Sequence, residues 1–297
     1  MLNGISAVVA TYKRKDELAR LFDSVIDNCM SDMELIIADQ NTDGLLDELI
    51  ERYQDRLNIQ HVKLTEANQS KARNYGAALA KYNILCFPDD DSWFEKDTLH
   101  KVTEHFKTEA DTDLLVINWK QNPLVHSTSH QLTKKEICSF RSVGYVTYVL
   151  FFKTQVFKKL GGFIEHIGIG QYIGGGEDSE LTFRTLHNDH KIYFDASAKV
   201  NHKYISITTR DNKIIRARQR AMGLMYAVYD VPVPVIFKGI IAPFVKMLFA
   251  FNFKKSTQFY NIFLARIEGL IYGLKNKEKF NTGITNNVSQ KSIASEV

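Results

Sequence analysis

Three consecutive aspartates, Asp89, Asp90 and Asp91, directly follow an apolar segment at residues 83–87 that is predicted to be a buried strand. Three carboxylates at the end of such a strand repel one another unless a cation neutralises them, and hard divalent cations prefer oxygen ligands. Mg²⁺ or Mn²⁺ held by one or two carboxylates completes its coordination with water and substrate phosphates. The triplet therefore predicts a metal site for a nucleotide or sugar nucleotide, and a solvated acidic loop is the alternative.

A pair of carboxylates, Glu177 and Asp178, follows a segment at residues 162–176 that contains six glycines. The pair is predicted to open a helix, where acidic side chains can act as caps favoured by the helix dipole. A functional alternative makes one of the two a general base, because a glycine-rich loop before a carboxylate pair suits a site that closes over an acceptor.

Three further polar residues lie near the ends of predicted elements: Asp39 after the second strand, Arg73 near the start of a helix, and His202 at the end of the last strand. In such a sheet, Asp39 can bind a base or ribose and Arg73 can bind a phosphate. A neutral imidazole can complete a coordination sphere of carboxylates and phosphates. The alternatives are a turn-forming aspartate, a solvated arginine and a structural histidine.

The elements that position these residues follow from hydrophobic periodicity. Short apolar runs alternate with amphipathic helical segments through the first hundred residues, which predicts a parallel α/β sheet with ligands at the carboxyl ends of the strands. The predicted strands lie at residues 5–10, 34–38, 59–64 and 83–87, and one helix at about 70–81. Further strands are predicted at 113–119, 143–152, 191–194 and 198–202, and a short helix at 154–160.

Composition excludes several classes of protein. The chain of 297 residues is 44% hydrophobic with 5 prolines and 16 glycines, so it is long and apolar enough for a sizeable core. Three cysteines without CxxC spacing suggest neither a disulfide framework nor a zinc site. The first residues show no basic segment before an apolar one, so no signal peptide is predicted, and we expect a cytoplasmic protein.

Charge is unevenly distributed along the chain. The net charge is +4, but residues 230–297 carry nine basic and four acidic side chains, a net of +5, so the preceding part carries −1. Residues 231–253 are largely apolar, and their longest charge-free run is seven residues, far below the roughly 20 that span a bilayer. Lysines that snorkel beside apolar bulk predict an amphipathic helix on a membrane surface; a core helix of a second subdomain is the alternative.

Taken together, the motifs resemble those of one family. The chain is similar, over about residues 5–205, to the family 2 glycosyltransferases of the GT-A fold, and in particular to bacterial enzymes that build capsular or other surface polysaccharides. The resemblance rests on six segments in the right order, namely VVATYKR, LIIADQNTD, NQSKARNYG, ILCFPDDDSWFEKDTL, LGGFIEHIGIG followed by GGGEDSELTFR, and VNHKY.

The resemblance implies a role for each candidate residue. Thr11, Tyr12 and Asp39 would line the nucleotide base, with Asp39 accepting a hydrogen bond from the uracil of a UDP-sugar, and Arg73 would support the base and phosphates. Asp89-Asp90-Asp91 matches the DXD motif of the family, in which Asp89 reaches ribose and metal, Asp90 belongs to the donor site and Asp91 is the main ligand of Mn²⁺ or Mg²⁺. His202 matches a late metal-binding histidine, and Asp178 of the Glu177-Asp178 pair matches the catalytic base.

The implied reaction is a single inverting displacement, in which Asp178 deprotonates an acceptor hydroxyl as it attacks the anomeric carbon. No QxxRW follows His202, which disfavours a processive polymerase; the nearest run is residues 216–220. Gln40 and Asn41 stand where small residues are common in the family, so the base identity stays open. The competing hypotheses are a sugar nucleotidyltransferase, which needs a glycine-rich loop that residues 10–14 lack, and a non-catalytic membrane-bound scaffold.

We therefore expect a GT-A α/β domain with a mixed, mainly parallel sheet at residues 1–210, a helical extension on the membrane surface at 211–280 and a disordered tail at 281–297. The expected partners are a nucleotide-sugar donor, a lipid-linked or oligosaccharide acceptor, and a membrane surface contacted by residues 231–280 at the inner face of the cell membrane. Nucleic acid is not expected, because the C-terminal lysines are interleaved with aliphatic side chains.

Overall fold

The computed structural model describes residues 1–121, 128–140, 146–203 and 211–281. Within these ranges, nine strands form one mixed sheet in the order β3-β2-β1-β4-β8-β6-β9-β5, with β7 paired to β9. The strands are β1 Leu2–Thr11, β2 Met33–Asp39, β3 Ile59–Lys63, β4 Tyr82–Cys86, β5 Trp93–Phe94, β6 Leu114–Trp119, β7 His130–Gln131, β8 Leu150–Lys153 and β9 Ile192–Asn201.

Helices flank this sheet, and several of them bury one apolar face against it. Helix α1, for example, places Leu18, Leu21, Phe22 and Val25 in the core because their spacing of three and four residues lines one side of the helix. The helices are α1 Asp16–Asp27, α2 Asp47–Tyr53, α3 Gln69–Leu79, α4 Thr98–Thr108, α5 Lys134–Cys138, α6 Thr154–Lys159, α7 Glu177–His187, α8 Asn212–Val228, α9 Val233–Leu248 and α10 Phe253–Asn281. The predicted mixed α/β sheet flanked by helices is confirmed.

Strand direction explains where polar side chains collect. β1 pairs in parallel with β2 and β4, β2 with β3, and β6 with β9. β8 is antiparallel to both β4 and β6, so six strands run one way while β5, β7 and β8 run the other. The carboxyl ends of β1, β2, β4, β6 and β9 therefore meet at one edge of the sheet, as predicted.

Two predicted elements differ from the structure. Residues 147–149, predicted as part of a strand at 143–152, form a single 3-10 turn, and β8 begins only at Leu150; residues 143–145 lie outside the described residues. The strands predicted at 191–194 and 198–202 are one strand, β9, which pairs with β6 through a shift of register between Ile117 and Asn118. The irregularity explains the interrupted pattern, because a shift of register changes which side chains face the core.

The glycine-rich segment is held by close packing as well as by backbone conformation. Gly168 and Gly176 have φ of +125° and +84°, which L side chains rarely adopt. A Cβ on Gly174 would lie 2.5 Å from the Cβ of Ala217 in α8, and one on Gly176 would lie 2.6 Å from that of Ala221. The glycines therefore let α8 pack directly against the loop, rather than only making it flexible.

The C-terminal helices pack against this assembly to different extents. The second half of α8 lies in the core, α10 runs along α8, and Phe280 near the end of α10 is buried with the same core. Helix α9 buries little and exposes large apolar side chains. Among the described helices, none has the length and apolarity needed to cross a membrane. The boundary predicted at residue 210 and the tail from 282 lie outside the described residues.

Candidate active site

Two aspartates of the triplet meet His202 at the carboxyl edge of the sheet. The Nε2 atom of His202 lies 3.0 Å from Oδ1 of Asp91 and 3.9 Å from Oδ2 of Asp89. One ligand atom from each of the three residues lies within 4.8 Å of the others. The structure thus brings together the residues that the sequence assigned to a metal, although more than a hundred positions separate the aspartates from the histidine in the chain.

The chemistry of this group suits a hard divalent cation. Two carboxylates and one imidazole, all half-buried, are a ligand set that Mn²⁺ and Mg²⁺ accept in proteins. Burial opposes ionisation of Asp91, yet hydrogen bonds from His202 and Arg14 hold the pKa of this carboxyl well below its usual value. Burial likewise opposes protonation of His202, but the neighbouring Asp91 and Asp89 raise the pKa of its imidazole. Asp91 therefore stays ionised, which is the form in which a carboxylate binds a cation.

Two aromatic residues that the sequence analysis did not single out hold His202 in place. The ring of Tyr148 stacks on the imidazole with centroids 4.4 Å apart and planes 4° apart. The Trp119 ring meets both rings edge-on, and its Nε1 donates to the carbonyl oxygen of His202 over 3.0 Å. Burial first, and then Asp89, Asp178 and Asp91, raise the pKa of the Tyr148 hydroxyl, so it stays protonated beside three carboxylates.

Replacing Tyr148 tests this support of the histidine. We expect Tyr148→Leu to weaken Mn²⁺ binding by about tenfold, because loss of the stacked ring frees the imidazole to rotate away from Asp91. Tyr148→Phe keeps the ring and should keep the affinity, which makes it the matched control. Isothermal titration of Mn²⁺ into each variant gives the measurement, and equal affinities for the leucine variant and the wild type would contradict the assigned role.

Asp90 shares Arg14 with its neighbour Asp91. The Arg14 guanidinium bonds Asp91 and lies 3.6 Å from Oδ1 of Asp90. Burial raises the pKa of Asp90 to about 6, even though Arg14 and the Thr11 hydroxyl favour its charged form. Asp90 is therefore not part of the group of Asp89, Asp91 and His202 that could hold a metal ion, and its assignment to the donor stays a prediction. The sequence analysis missed Arg14, whose only signal was its place just after the first strand.

Arg73 links the triplet to the carboxylate pair. Its buried guanidinium donates from Nη2 to Oδ1 of Asp89 over 2.7 Å, and Nη1 lies 3.6 Å from Oε1 of Glu177. Within the described residues, Nη1 of Arg73 and Oε2 of Glu177 have no hydrogen-bond partner although both are buried. Arg73 therefore lies between the two acidic groups, with unused hydrogen-bonding capacity that a bound sugar hydroxyl would satisfy.

Asp178 is a half-buried carboxyl at the N-terminus of α7. Burial first and the adjacent Glu177 second raise its pKa to about 7, so it can exchange a proton near neutral pH. The N-cap of α7 is Gly176, which makes no side-chain cap bond, and Oδ1 of Asp178 accepts a hydrogen bond from the backbone N–H of Ser179. A raised pKa in a half-buried carboxyl at such an edge is typical of a general base.

A buried network fixes the helix that carries Asp178. Arg184 donates to both carboxylate oxygens of Glu180 and to the carbonyl oxygens of Leu160 and Gly162. The Tyr229 hydroxyl, at the end of α8, donates to the same Glu180. The network ties α7 to the glycine-rich segment and to α8, so Asp178 has a rigid support.

The end of the site assigned to the nucleotide base lies at β1 and β2. Thr11 is buried and pairs with Asp39 in the register of the two strands, while Tyr12 is 46% exposed. The Asp39 carboxylate is fully buried, accepting hydrogen bonds from Asn41 at one oxygen and lying 2.8 Å from Nε2 of His61 at the other. Its contact with a base stays a prediction, and His61 is a further residue that the sequence analysis did not identify.

Comparisons with known proteins bear on the family and the fold. Residues 6–170 match the family model described as glycosyl transferase family 2. The chain is 28% identical over 116 residues to poly(ribitol-phosphate) beta-N-acetylglucosaminyltransferase TarP of Staphylococcus aureus. The aligned segment covers 38% of this chain and 35% of TarP. The chain is 28% identical over 120 residues to TarS of the same species, covering 39% of this chain and 21% of TarS. The chain thus aligns with about a third or less of these relatives.

Solved structures extend the likeness to nearly the whole chain. The structure of S. aureus TarS 1–349 in complex with UDP-GlcNAc superposes with a TM-score of 0.62 at 15% identity, covering 94% of this chain and 92% of the other. A mannosyltransferase, PcManGT from Pyrobaculum calidifontis in complex with GDP-Man and Mn²⁺, gives 0.61 at 12% identity and covers 99% and 79%. At these identities the likeness establishes the fold.

Proposed function

The chain belongs to glycosyl transferase family 2, and from this premise we propose that it is a hexosyltransferase that moves a sugar from a nucleotide-sugar donor to a hydroxyl group of an acceptor in surface polysaccharide synthesis. The observation that carries the proposal is the meeting of Asp89, Asp91 and His202 with Asp178, whose pKa is raised, at one edge of a GT-A-like sheet. Arg73 joins the two groups, so a donor held by the first presents its sugar to the second.

The proposed donor is a UDP-sugar. TarS has been solved with UDP-GlcNAc, and TarP and TarS are named as N-acetylglucosaminyltransferases, which favours this class. PcManGT has been solved with GDP-Man, so a guanine nucleotide is the competing donor. The proposed acceptor is a lipid-linked glycan or an oligosaccharide. TarP and TarS are named for poly(ribitol-phosphate), and an acceptor of this chain would supply a similar sugar or alditol hydroxyl.

In the proposed mechanism, Asp178 accepts the proton of the acceptor hydroxyl while that oxygen attacks the anomeric carbon. The bond from the anomeric carbon to the diphosphate oxygen breaks with its electron pair, and attack from the opposite face inverts the anomeric configuration. Asp89, Asp91 and His202 would hold Mn²⁺ or Mg²⁺, whose charge stabilises the departing nucleoside diphosphate. Arg73 and Glu177 orient the donor sugar through their unused hydrogen-bonding atoms.

Donor binding is the direct test of the proposal. We expect UDP-GlcNAc with Mn²⁺ to raise the melting temperature by several degrees, because a ligand at 100 times its Kd adds about 2.7 kcal/mol to the free energy of unfolding. GDP-Man and dTDP-glucose should raise it less, and EDTA should remove the shift. Thermal-shift measurements across these donors decide the nucleotide. Absence of a shift with every donor would contradict the proposal and favour a non-catalytic scaffold.

A second part of the proposal concerns the membrane surface. Helix α9 and the turn into α10 expose a run of large apolar side chains: Val233, Phe237, Phe244, Val245, Leu248, Phe249, Phe251 and Phe253. Exposed lysines flank this run, among them Lys238, Lys246, Lys254 and Lys255. Such a surface is typical of a peripheral protein on an anionic bilayer, and we propose that it holds the chain on the inner face of the cell membrane near its acceptor.

Substitution tests this surface better than deletion, because removing residues 231–280 would strip α10 from α8. We expect the combined variant F237S/F249S/F251S/F253S to bind anionic phospholipid vesicles at least about tenfold more weakly, since insertion scales with the apolar area buried. Leu2→Ser, at an exposed apolar residue on the opposite edge of the sheet, is the control. Vesicle co-sedimentation gives the measurement, and unchanged binding of the combined variant would refute the assignment.

A further inference from the structure

Helix α8 carries three arginines, of which one has no partner within the part of the chain that the structure describes. Arg216 and Arg220 both bind the carboxylate of Glu268 on α10. Arg218 is exposed and, within the described residues, makes no hydrogen bond or ion pair. The helix has no acidic residue between positions 212 and 228, so no carboxylate of its own helix neutralises this guanidinium.

The position of Arg218 is fixed relative to the proposed base. The stem of its side chain lies on Gly175, where a Cβ would be 3.1 Å from Cγ of Arg218. Gly175 precedes Asp178 by three residues, so their Cα atoms are at most about 11 Å apart. The backbone N–H of Gly174 donates a hydrogen bond of 3.0 Å to the carbonyl oxygen of Ala217. This bond holds α8 against the glycine-rich segment.

The charges around the site make an unpaired cation here informative. Asp89, Asp90, Asp91, Glu177 and Asp178 place five carboxyl groups at the sheet edge, where Arg14 and Arg73 pair with four of them. These two arginines are thus occupied, whereas Arg218 has no partner among the described residues, and its planar fork of N–H groups matches the oxygens of a phosphate.

We propose that Arg218 binds a phosphate group of the acceptor, close to the hydroxyl that Asp178 deprotonates. The inference rests on the proposed function and specifies the substrate class of the same site. Two kinds of acceptor would present a phosphate oxyanion to Arg218. One is an alditol phosphate polymer, through its phosphodiester, and the other is a lipid-linked sugar, through its diphosphate. Arg218 thereby selects anionic acceptors and sets which hydroxyl reaches the base.

Binding measured on the full chain with Mn²⁺ and UDP tests the proposal. Three fluorescent probes separate the possibilities: a ribitol phosphate hexamer, a short-chain polyprenyl diphosphate-linked GlcNAc, and uncharged maltohexaose. We expect one of the two phosphate-bearing probes to bind, Arg218→Ala to weaken that binding about tenfold or more, and Arg218→Lys to retain part of it. Lys158→Ala, at an exposed lysine of α6 after the far end of β8, is the control and should bind as the wild type does.

The outcomes are distinct. Equal binding of the phosphate probes by wild type and Arg218→Ala, absence of their binding to the wild type, or equally tight binding of maltohexaose would each overturn the proposal. If the wild type binds the phosphate probe through Arg218 yet turns over no nucleotide sugar, the proposed transfer fails while the anion site stands.

Discussion

Replacing Asp178 with asparagine is expected to lower kcat for sugar transfer by about 10²- to 10⁴-fold, because the amide cannot accept the proton of the acceptor hydroxyl. Donor affinity should change little, since Asp178 lies at the start of α7 and the group formed by Asp89, Asp91 and His202 is left intact. Steady-state transfer kinetics give kcat, and titration of UDP-GlcNAc with Mn²⁺ gives the donor affinity. An equal loss of both would show that Asp178 is structural.

The raised pKa of Asp178 adds a dependence on pH. The base acts when it is deprotonated, so kcat of the wild type should rise about tenfold per pH unit below a pKa of about 7 and level off above it. The asparagine variant should lose that slope in its residual rate. Rates measured between pH 5 and pH 9 decide the point, and a flat wild-type profile would exclude Asp178 as the base.

The pH dependence of stability is an independent test of the raised pKa of Asp178. Its pKa rises from the ordinary value of 3.8 to about 7 in the folded protein, so the folded state binds the proton more tightly than the unfolded chain. The free energy of unfolding should therefore fall as pH increases from about 4 to about 7, and Asp178→Asn should reduce that fall. Asp189→Asn, at an exposed aspartate beyond the other end of α7, is the matched control and should keep the wild-type kcat and pH dependence.

Asp91→Ala has the second large expected effect. The variant removes a carboxylate of the group that also contains Asp89 and His202, and we expect Mn²⁺ affinity to fall by more than about 100-fold, beyond the loss typical of outer-shell changes. Metal-dependent turnover of the nucleotide sugar should be lost with it. Isothermal titration of Mn²⁺ and donor hydrolysis assays make the two measurements.

The control for Asp91 is Glu51→Gln, which removes an exposed carboxylate from α2 away from the site. It should leave Mn²⁺ affinity and turnover unchanged. Retained Mn²⁺ affinity in Asp91→Ala would contradict the role of Asp91 as a ligand. If Asp91→Ala lost turnover but kept its Mn²⁺ affinity, Asp91 would position the donor, as is predicted for Asp90, and would not bind the metal.

Local patterns in the chain were sufficient for much of the fold. The alternation of apolar runs and amphipathic segments predicted β1 to β4 and the helices between them, because burial of one face imposes a characteristic period on each element. The pattern failed at residues 147–149, where apolar residues form a 3-10 turn that presents Tyr148 to His202. A buried turn and a buried strand have the same composition, and only the path of the chain distinguishes them.

The sequence by itself determined which side chains follow the strands of a parallel α/β sheet, and hence that Asp39, Asp89 to Asp91 and His202 share one edge. It also provided the motifs of the family and the carboxylate pair at the start of α7. Only the tertiary structure decided which of these side chains touch: that Arg73 joins Asp89 to Glu177, that Arg14 holds Asp90 and Asp91, and that Arg218 alone of its run is left unpaired among the described residues. The physical reason is that strand order, register and helix docking, which bring distant segments together, depend on packing across the whole core, whereas periodicity reports only on neighbours along the chain.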